Sequence, residues 1–298
     1  MNSEDHPDPR AETAVGAGVA AEVGSDLRSE LRRAAVRPRA FGAWYVTEHH
    51  VRIWRRYLGV NVATAIGTPF MFLLAFGIGL GLLVNANAGP GGVDGVSYLV
   101  FIAPALIATS AVTIASDEFS YPVMQGLKWN PIYIGMHATP ITARQVVDGL
   151  VLFVALRVTA TTFVYFLIMA AFGGVPAASG VLTVPVATLT ALAFGTPLFA
   201  YAASLREDRG QFAVVQRVLV LPLTLFSGTL FPLEQLPAFL QPIGWLSPLW
   251  HGAELGRVVG YGAERPLWLT AVHLAFLVAL ALAGWRLAVR VMRGRLDA

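Results

Sequence analysis

Six apolar runs, each near the roughly 20 residues that cross a hydrocarbon core, constrain this chain more than any other feature. They fall at about 60–84, 97–116, 149–172, 181–204, 213–231 and 267–289. A backbone inside lipid must satisfy its own hydrogen bonds, and a helix does this within a single segment. The expected fold class is therefore an all-α integral membrane protein with six transmembrane helices. Composition agrees: 13% of residues are charged, against about 25% in a soluble domain. Prolines 69, 104, 197 and 222 lie inside the runs, where neighbouring helices absorb the kinks they cause.

Residues 1–40 are polar, acidic and rich in Ala, Gly and Pro, and they read as a disordered cytoplasmic tail. Met1-Asn2-Ser3-Glu4-Asp5 does not resemble a secretory signal, which opens with bases and an apolar run. Arg28, Arg32, Arg33, Arg37 and Arg39 make the end of the tail basic, suited to an anionic membrane leaflet. Over 41–58, Phe41, Trp44, Val51, Trp54 and Leu58 recur at three- and four-residue steps, with His49, Arg52, Arg55 and Arg56 elsewhere on the wheel. That pattern predicts an amphipathic helix lying in the membrane interface. Between the fifth and sixth runs, 232–262 carries Leu236, Phe239, Leu240, Ile243, Trp245, Leu246, Leu249 and Trp250, interrupted by Pro232, Pro237, Pro242 and Pro248. It is too broken to span and too apolar for solvent, so re-entrant helices dipping into the outer leaflet are expected, packed on protein.

Orientation follows from the bases. Of 21 Lys and Arg, only Arg257 and Arg265 fall in loops on one side, and Arg157 lies within a span. The rest flank the tail, the loop 117–148, the loop 205–212 and the last residues. The positive-inside rule puts both termini in the cytoplasm. Bases scattered this way do not form the continuous stripe of a nucleic-acid binder, and none is expected as a partner.

Chemical motifs are scarce. There is no phosphate-cradling Walker loop; Lys128, the sole lysine, follows Gln-Gly-Leu. No metal site is expected, because the only histidines close in sequence, His49 and His50, point to different helix faces. With no cysteine, thiol chemistry is excluded. Arg157, about eight residues into the third run, must face the bundle interior. It is either a contact for anionic headgroups on a substrate pathway or structural, as half of an ion pair or as a carbonyl cap. Arg217, one turn into the fifth run, reads as a snorkelling residue. Arg144 and Asp148, four apart, read as an exposed ion pair.

The stretch Phe226-Ser227-Gly228-Thr229-Leu230-Phe231-Pro232-Leu233-Glu234-Gln235-Leu236-Pro237, continuing through Leu246-Ser247-Pro248-Leu249 and His251 to Glu254 and Arg257, resembles the signature of ABC-2 type ABC transporter permeases. Thr139-Pro140-Ile141-Thr142 is similar to that family's inner Thr-Pro element. The resemblance covers about 41–290, within an expected transmembrane domain at 41–298, and is strongest to nodulation-factor exporter and daunorubicin-resistance type permeases.

The resemblance implies a homodimeric exporter subunit in the cytoplasmic membrane. Each protomer would be docked on a separate ABC ATPase that holds ATP and Mg, with no cofactor bound by this chain. It implies coupling to that ATPase through Trp129, Gly135, Met136, His137, Thr139 and Pro140, with a second contact at Arg206, Glu207 and Asp208. The first and fifth spans would line the pathway, which assigns Phe70, Phe226 and Phe231 to it beside Arg157. Ser227, Gly228, Pro232, Pro237, Pro248 and Arg257 would form the re-entrant signature. The cargo would be amphipathic or hydrophobic: a glycolipid, a lipid-linked saccharide or a drug. An ion-coupled carrier would want acids near the midplane, and none of the 18 acidic residues lies mid-span. A lipid-modifying membrane enzyme would want clustered His, Asp or Glu, and only Glu234, His251 and Glu254 offer candidates on the outer side.

Overall fold

The protein is described by a computed structural model covering residues 26–30, 36–87, 89 and 91–297. Residues 26–30 form a helical turn, and helix α1 starts at Val36, ahead of the expected position 41. The remainder of the expected disordered tail lies outside the described residues.

Helix α1 (Val36–Arg56) bends at Phe41, whose backbone leaves helical geometry (φ −117°, ψ 19°). Its buried face is Gly42, Val46 and Thr47, and the Thr47 hydroxyl donates to the Gly149 carbonyl at 2.9 Å. Of the apolar residues expected to face the membrane interface, Phe41, Trp44 and Leu58 are exposed, whereas Val51 and Trp54 are half-buried against the core. Tyr57 breaks the helix (φ −105°, ψ 24°), and α2 (Leu58–Asn87) follows, with a π-helical stretch at Leu73–Leu80.

Helix α3 (Tyr98–Glu118) begins where the Tyr98 N–H donates to the Asn85 side-chain oxygen at 2.9 Å. A break at Phe119 and Ser120 leads into α4, residues 121–129, and the short α5 (Ile132–His137). Helix α6 (Ala143–Ala171) opens with a full capping box between Thr142 and Gln145, which supplies partners for otherwise orphaned N–H groups. Gln145 also donates to the Arg39 carbonyl at 2.7 Å, tying α1 to the start of α6. Helices α7 (Thr183–Ser204), α8 (Gln211–Phe226), α9 (Gln241–Trp245), α10 (Pro248–Tyr261) and α11 (Leu267–Leu296) complete the chain.

Among the described residues, five helices are long and apolar enough to cross a membrane: α2, α3 with its α4 extension, α6, α7 with the turn before it, and α11. The fifth expected run, 213–231, is the exception. Helix α8 is apolar but shorter, about 24 Å long. It stops at Phe226 because Ser227 leaves helical geometry and Gly228 takes a positive φ of 64°, a conformation open to glycine without steric cost.

The bundle is organised around α3. Of its most apolar window, 78% is buried, against 17% for α2 and for α11. Phe101, Ile102, Ala105, Ile107, Ala111 and Ala115 pack on α6, α7 and α10. Helices α2, α8 and α11 sit outside it and present Val60, Met71, Leu82, Val218, Leu221 and Leu274 outward. A helix with an apolar outer face is at home in hydrocarbon rather than in water.

Candidate functional site

Three places gather the residues singled out above. The first is the end of the bundle formed by α4, α5 and the 205–211 turn. Trp129 closes α4 and is 55% exposed. Gly135, Thr139 and Pro140 are exposed on and after α5, and Met136 is half-buried. Arg206 and Glu207 are exposed, Asp208 half-buried. The structure brings the two loops together: Lys128 Nζ lies 3.9 Å from Glu207, and Tyr121 packs on Phe212 with ring centres 4.7 Å apart. His137 is held on both ring nitrogens, Nδ1 against the Ile141 carbonyl at 3.1 Å and Nε2 against Asp297 at 3.0 Å. Arg295 at the end of α11 donates to the Leu205 carbonyl at 3.1 Å.

The second place is a cavity of about 480 Å³ between α1, the start of α2, α4 and α6. His49, His50, Trp54, Tyr57, Tyr133 and Phe153 give it aromatic walls, and Glu118 and Arg157 its charge. Arg157 forms an ion pair with Glu118, the second of the two roles open to it from sequence. Both charges are mostly buried, so their mutual neutralisation is what permits them at this depth. Two polar atoms of the wall have no protein partner, Trp54 Nε1 and His49 Nε2. His50 donates through Nδ1 to the Val46 carbonyl at 2.8 Å. Burial, and then the neighbouring His49, hold the His50 imidazole below the ordinary histidine range despite that bond. Burial, and then Arg52, do the same to His49. The Tyr133 phenol is pushed up by burial alone. At neutral pH the cavity therefore carries uncharged imidazoles, an uncharged phenol and one internal ion pair. Arg144 and Asp148 pair at 3.3 Å as expected, and Asp148 also accepts from the Trp285 indole at 2.7 Å.

The third place is a cap at the opposite end, made from 227–265. The Ser227 hydroxyl donates to Ser247 Oγ at 2.7 Å, and Ser247 Oγ accepts the Leu249 N–H at 3.1 Å, capping α10 ahead of Pro248 at its first position. Pro232 precedes a single 3₁₀ turn, and Pro237 opens the turn leading to α9. Arg257 is 1% exposed. It donates to Glu254 at 2.5 Å and to the Gly228 carbonyl at 2.6 Å, and its guanidinium lies 3.9 Å from the Phe101 ring centre. Arg265 bonds Glu254 at 2.9 Å and Asp94 at 3.1 Å, and the Tyr261 hydroxyl donates to Asp94 at 2.7 Å. The cap is thus tied together from Arg257 to Gly228 and Glu254, and pinned to α3 at the Phe101 carbonyl and to the loop before α3 at Asp94.

The four residues assigned to a pathway do not share a cavity within one chain. Arg157 lines the aromatic cavity, and Phe70 packs edge-on to Phe172 with centres 5.7 Å apart. Phe226 ends α8, and Phe231 lines a smaller cavity of about 300 Å³ beside Tyr98 and Leu80. The sequence reading missed Asp94, Glu118, Arg265 and Trp285 as partners, and it did not pair His251 with His273, 22 positions further on. In the fold those two imidazoles meet, with Nδ1 atoms 2.7 Å apart.

Helices of this length and apolarity, with an outward face fit for lipid, define a multi-pass helical membrane protein. Residues 44–261 match the ABC-2 type transporter family, and the chain belongs to it. It is 28% identical over 253 residues to Nodulation protein J of Rhizobium meliloti (strain 1021), covering 83% of this chain and 93% of the relative. Nodulation protein J of Bradyrhizobium diazoefficiens is 29% identical over 251 residues, 82% of this chain and 92% of the relative. The Inner membrane transport permease YadH of Escherichia coli (strain K12) is 26% identical over 249 residues, 80% of this chain and 91% of the relative. The chain is accordingly a membrane subunit of an ABC transporter.

Proposed function

We propose that this chain is the permease subunit of an ATP-driven exporter that works as a homodimer in the cytoplasmic membrane and moves an amphipathic or hydrophobic cargo outward. The observation that carries the reading is the joined face of α4, α5 and the 205–211 turn. It displays Trp129, Gly135, Thr139, Arg206 and Glu207 to solvent in a chain with no Walker loop of its own. An ATPase seated there would move α3 and α6 directly, since α4 continues the one and α5 leads into the other. On this reading α8 completes six crossings with both termini cytoplasmic, and 232–262 forms the re-entrant cap over the outer end. The exposed faces of α2 and α8 are where two protomers meet and enclose the pathway.

The aromatic cavity lies at the depth of the interface helix, and its unpartnered Trp54 and His49 nitrogens suit the polar head of an amphipath arriving sideways from the inner leaflet. An internally neutralised Arg157 favours no anion, so the headgroup need not be acidic.

The test is affinity purification of the protein from its native membranes in mild detergent, with mass spectrometry of what comes with it. A stoichiometric partner carrying a Walker loop is the expected result. A homo-oligomer with no ATPase would overturn the reading. With the partner in hand, Gly135→Asp is expected to abolish stimulated ATP hydrolysis while leaving membrane insertion intact.

A further inference from the structure

Helix α3 is the buried centre of the bundle, yet one line along it is open. Of its 21 residues only Thr113 and Asp117 are exposed, and Thr109, one turn earlier, is half-buried. Tyr121, at the start of α4, is exposed and extends the line. Steps of four put these residues on one helix face. The outward face of α8 is apolar, with Val218 and Leu221 exposed; the open line of α3 is polar. The Thr109 and Thr113 hydroxyls donate back to the Ala105 and Thr109 carbonyls at 2.8 and 3.0 Å, so their oxygens stay free to accept.

The line lies between α2 and α8. Helix α2 meets α3 near its start, where the Tyr98 N–H reaches Asn85 and a Cβ on Gly77 would lie 3.1 Å from Leu99. Helix α8 meets it near its end, where the Gln216 amide donates to the Ser116 hydroxyl at 2.8 Å. Phe212 stacks on Tyr121 one turn below, so α8 runs back along α3. In two antiparallel right-handed helices, the residues that follow a facing pair turn to the same side. Those residues are Asp117 and Arg217. Val215 turns the other way, into an apolar groove beside Phe194 and Tyr201 of α7.

Asp117 and Arg217 are both exposed, and among the described residues neither has an opposite charge within ion-pairing distance. Arg157, whose charge acts on Asp117, is taken by Glu118. Arg157 lies eight residues, or about 12 Å, inside the run that begins at 149. The pair therefore draws Glu118 and its neighbour Asp117 to hydrocarbon depth, although Asp117 falls just past the end of the second apolar run. Ser116 holds Gln216, and with it Arg217, at the same level. An unpaired charge at that depth faces water or a ligand, not lipid. Packed helix axes lie about 8–10 Å apart, which leaves room for a small polar group to meet both side chains.

We propose that this cleft is a hydrated stretch of the transport pathway, where Asp117 and Arg217 bind the head of a zwitterionic amphipath. Its ammonium group meets Asp117 and its acidic group meets Arg217. The proposal rests on the permease reading, in which α2 and α8 border the pathway, and it narrows the cargo to heads that carry both charges. A purely acidic head leaves Asp117 unanswered, and a purely basic one leaves Arg217. Asp117 and Arg217 are thus specificity-determining residues, and Thr109 and Thr113 line the way with acceptors.

The chain has no cysteine, so a lone thiol can be placed in the cleft. The full-length protein is purified in dodecyl maltoside, whose head is uncharged, with any subunit that accompanies it and without ATP. Thr113→Cys is expected to react with water-soluble methanethiosulfonates about tenfold faster than Leu274→Cys on the outer face of α11, because a thiolate needs water. Dodecylphosphocholine, added well below the maltoside concentration, is expected to slow the Thr113→Cys reaction. Dodecyl sulfate and dodecyltrimethylammonium, with the same chain and one charge each, should need about tenfold more, for want of one charged contact. Asp117→Asn should reduce dodecylphosphocholine to the potency of dodecyl sulfate, and Arg217→Gln to that of dodecyltrimethylammonium. Both side chains are exposed and unpaired, so neither substitution removes a contact that holds the fold. Equal protection by the three heads, or a phosphocholine preference that survives both substitutions, would overturn the head assignment. Thr113→Cys reacting no faster than Leu274→Cys would overturn the hydrated cleft. Either failure in a preparation that holds an ATPase leaves the permease reading standing, whereas absence of an ATPase overturns that reading and leaves the head preference as measured.

Discussion

Replacing Arg257 by Met removes the centre of the cap and leaves three groups to be accounted for. The Gly228 carbonyl loses a charged donor at 2.6 Å; a buried acceptor left without a partner costs about 1–3 kcal/mol. Glu254 loses its 2.5 Å bond but keeps Arg265 at 2.9 Å, so the penalty stays below the full ~3–5 kcal/mol of an orphaned buried charge. The Phe101 ring loses a cation at 3.9 Å, about 1–2 kcal/mol when desolvated. Methionine recovers part of the packing. The net expectation is about 3 kcal/mol. Arg257→Lys should cost less, because it keeps the charge but loses the geometry that reaches both Glu254 and the carbonyl. Arg257→Met with Glu254→Met should be milder than Arg257→Met alone, since removing both charges removes the uncompensated one. Trp245 and Trp250 sit in the cap beside His251, so intrinsic tryptophan fluorescence during thermal unfolding in detergent reads the change. A wild-type unfolding temperature for Arg257→Met, or a double variant worse than the sum of the singles, would refute the reasoning.

Other expectations concern the opposite end. The folded state holds His50 and His49 below the ordinary histidine range, so the unfolded chain binds more protons as pH falls. The contribution of α1 packing should be complete above about pH 6.5 and decline as pH drops toward the folded-state values; protease protection of α1 against pH measures it. Arg157→Met leaves Glu118 without its partner among mostly buried surroundings and should destabilise by about 3 kcal/mol, with Arg157→Met/Glu118→Met partly restored, in the same fluorescence assay. Lys128→Glu sets like charges beside Glu207; it is expected to weaken recovery of the ATPase on affinity purification while moving the unfolding temperature little, because the pair is exposed.

The long helices were legible because an apolar run near bilayer length admits few other structures. The 213–231 run misled at its end: Leu230 and Phe231 remain apolar although the backbone has already turned at Ser227 and Gly228. Hydropathy registers side chains and is blind to that turn. Arg144 and Asp148 were readable because helical spacing brings them together. Arg157 was flagged as a problem in need of a partner, but Glu118 lies 39 positions away and no local period points to it. The same holds for Arg257 and the Phe101 carbonyl, 156 positions apart, and for His251 and His273, 22 apart across a helix–turn–helix. Motif resemblance located the cap without its chemistry, because the partners of its charges come from α3 and from the loop before it.

That dependence has a consequence for biogenesis. Span-length apolar helices are each stable in lipid before they associate, so α2, α3, α6, α7 and α11 can enter the bilayer one at a time. Residues 227–265 cannot. Glu254 and Arg257 are costly in hydrocarbon alone, and the Phe101 carbonyl that accepts from Arg257 and the Asp94 carboxylate that holds Arg265 are in place only once α3 and the loop before it have docked. The cap is therefore the last part of the subunit to acquire its structure, and its closure reports that the helices beneath it have already found one another.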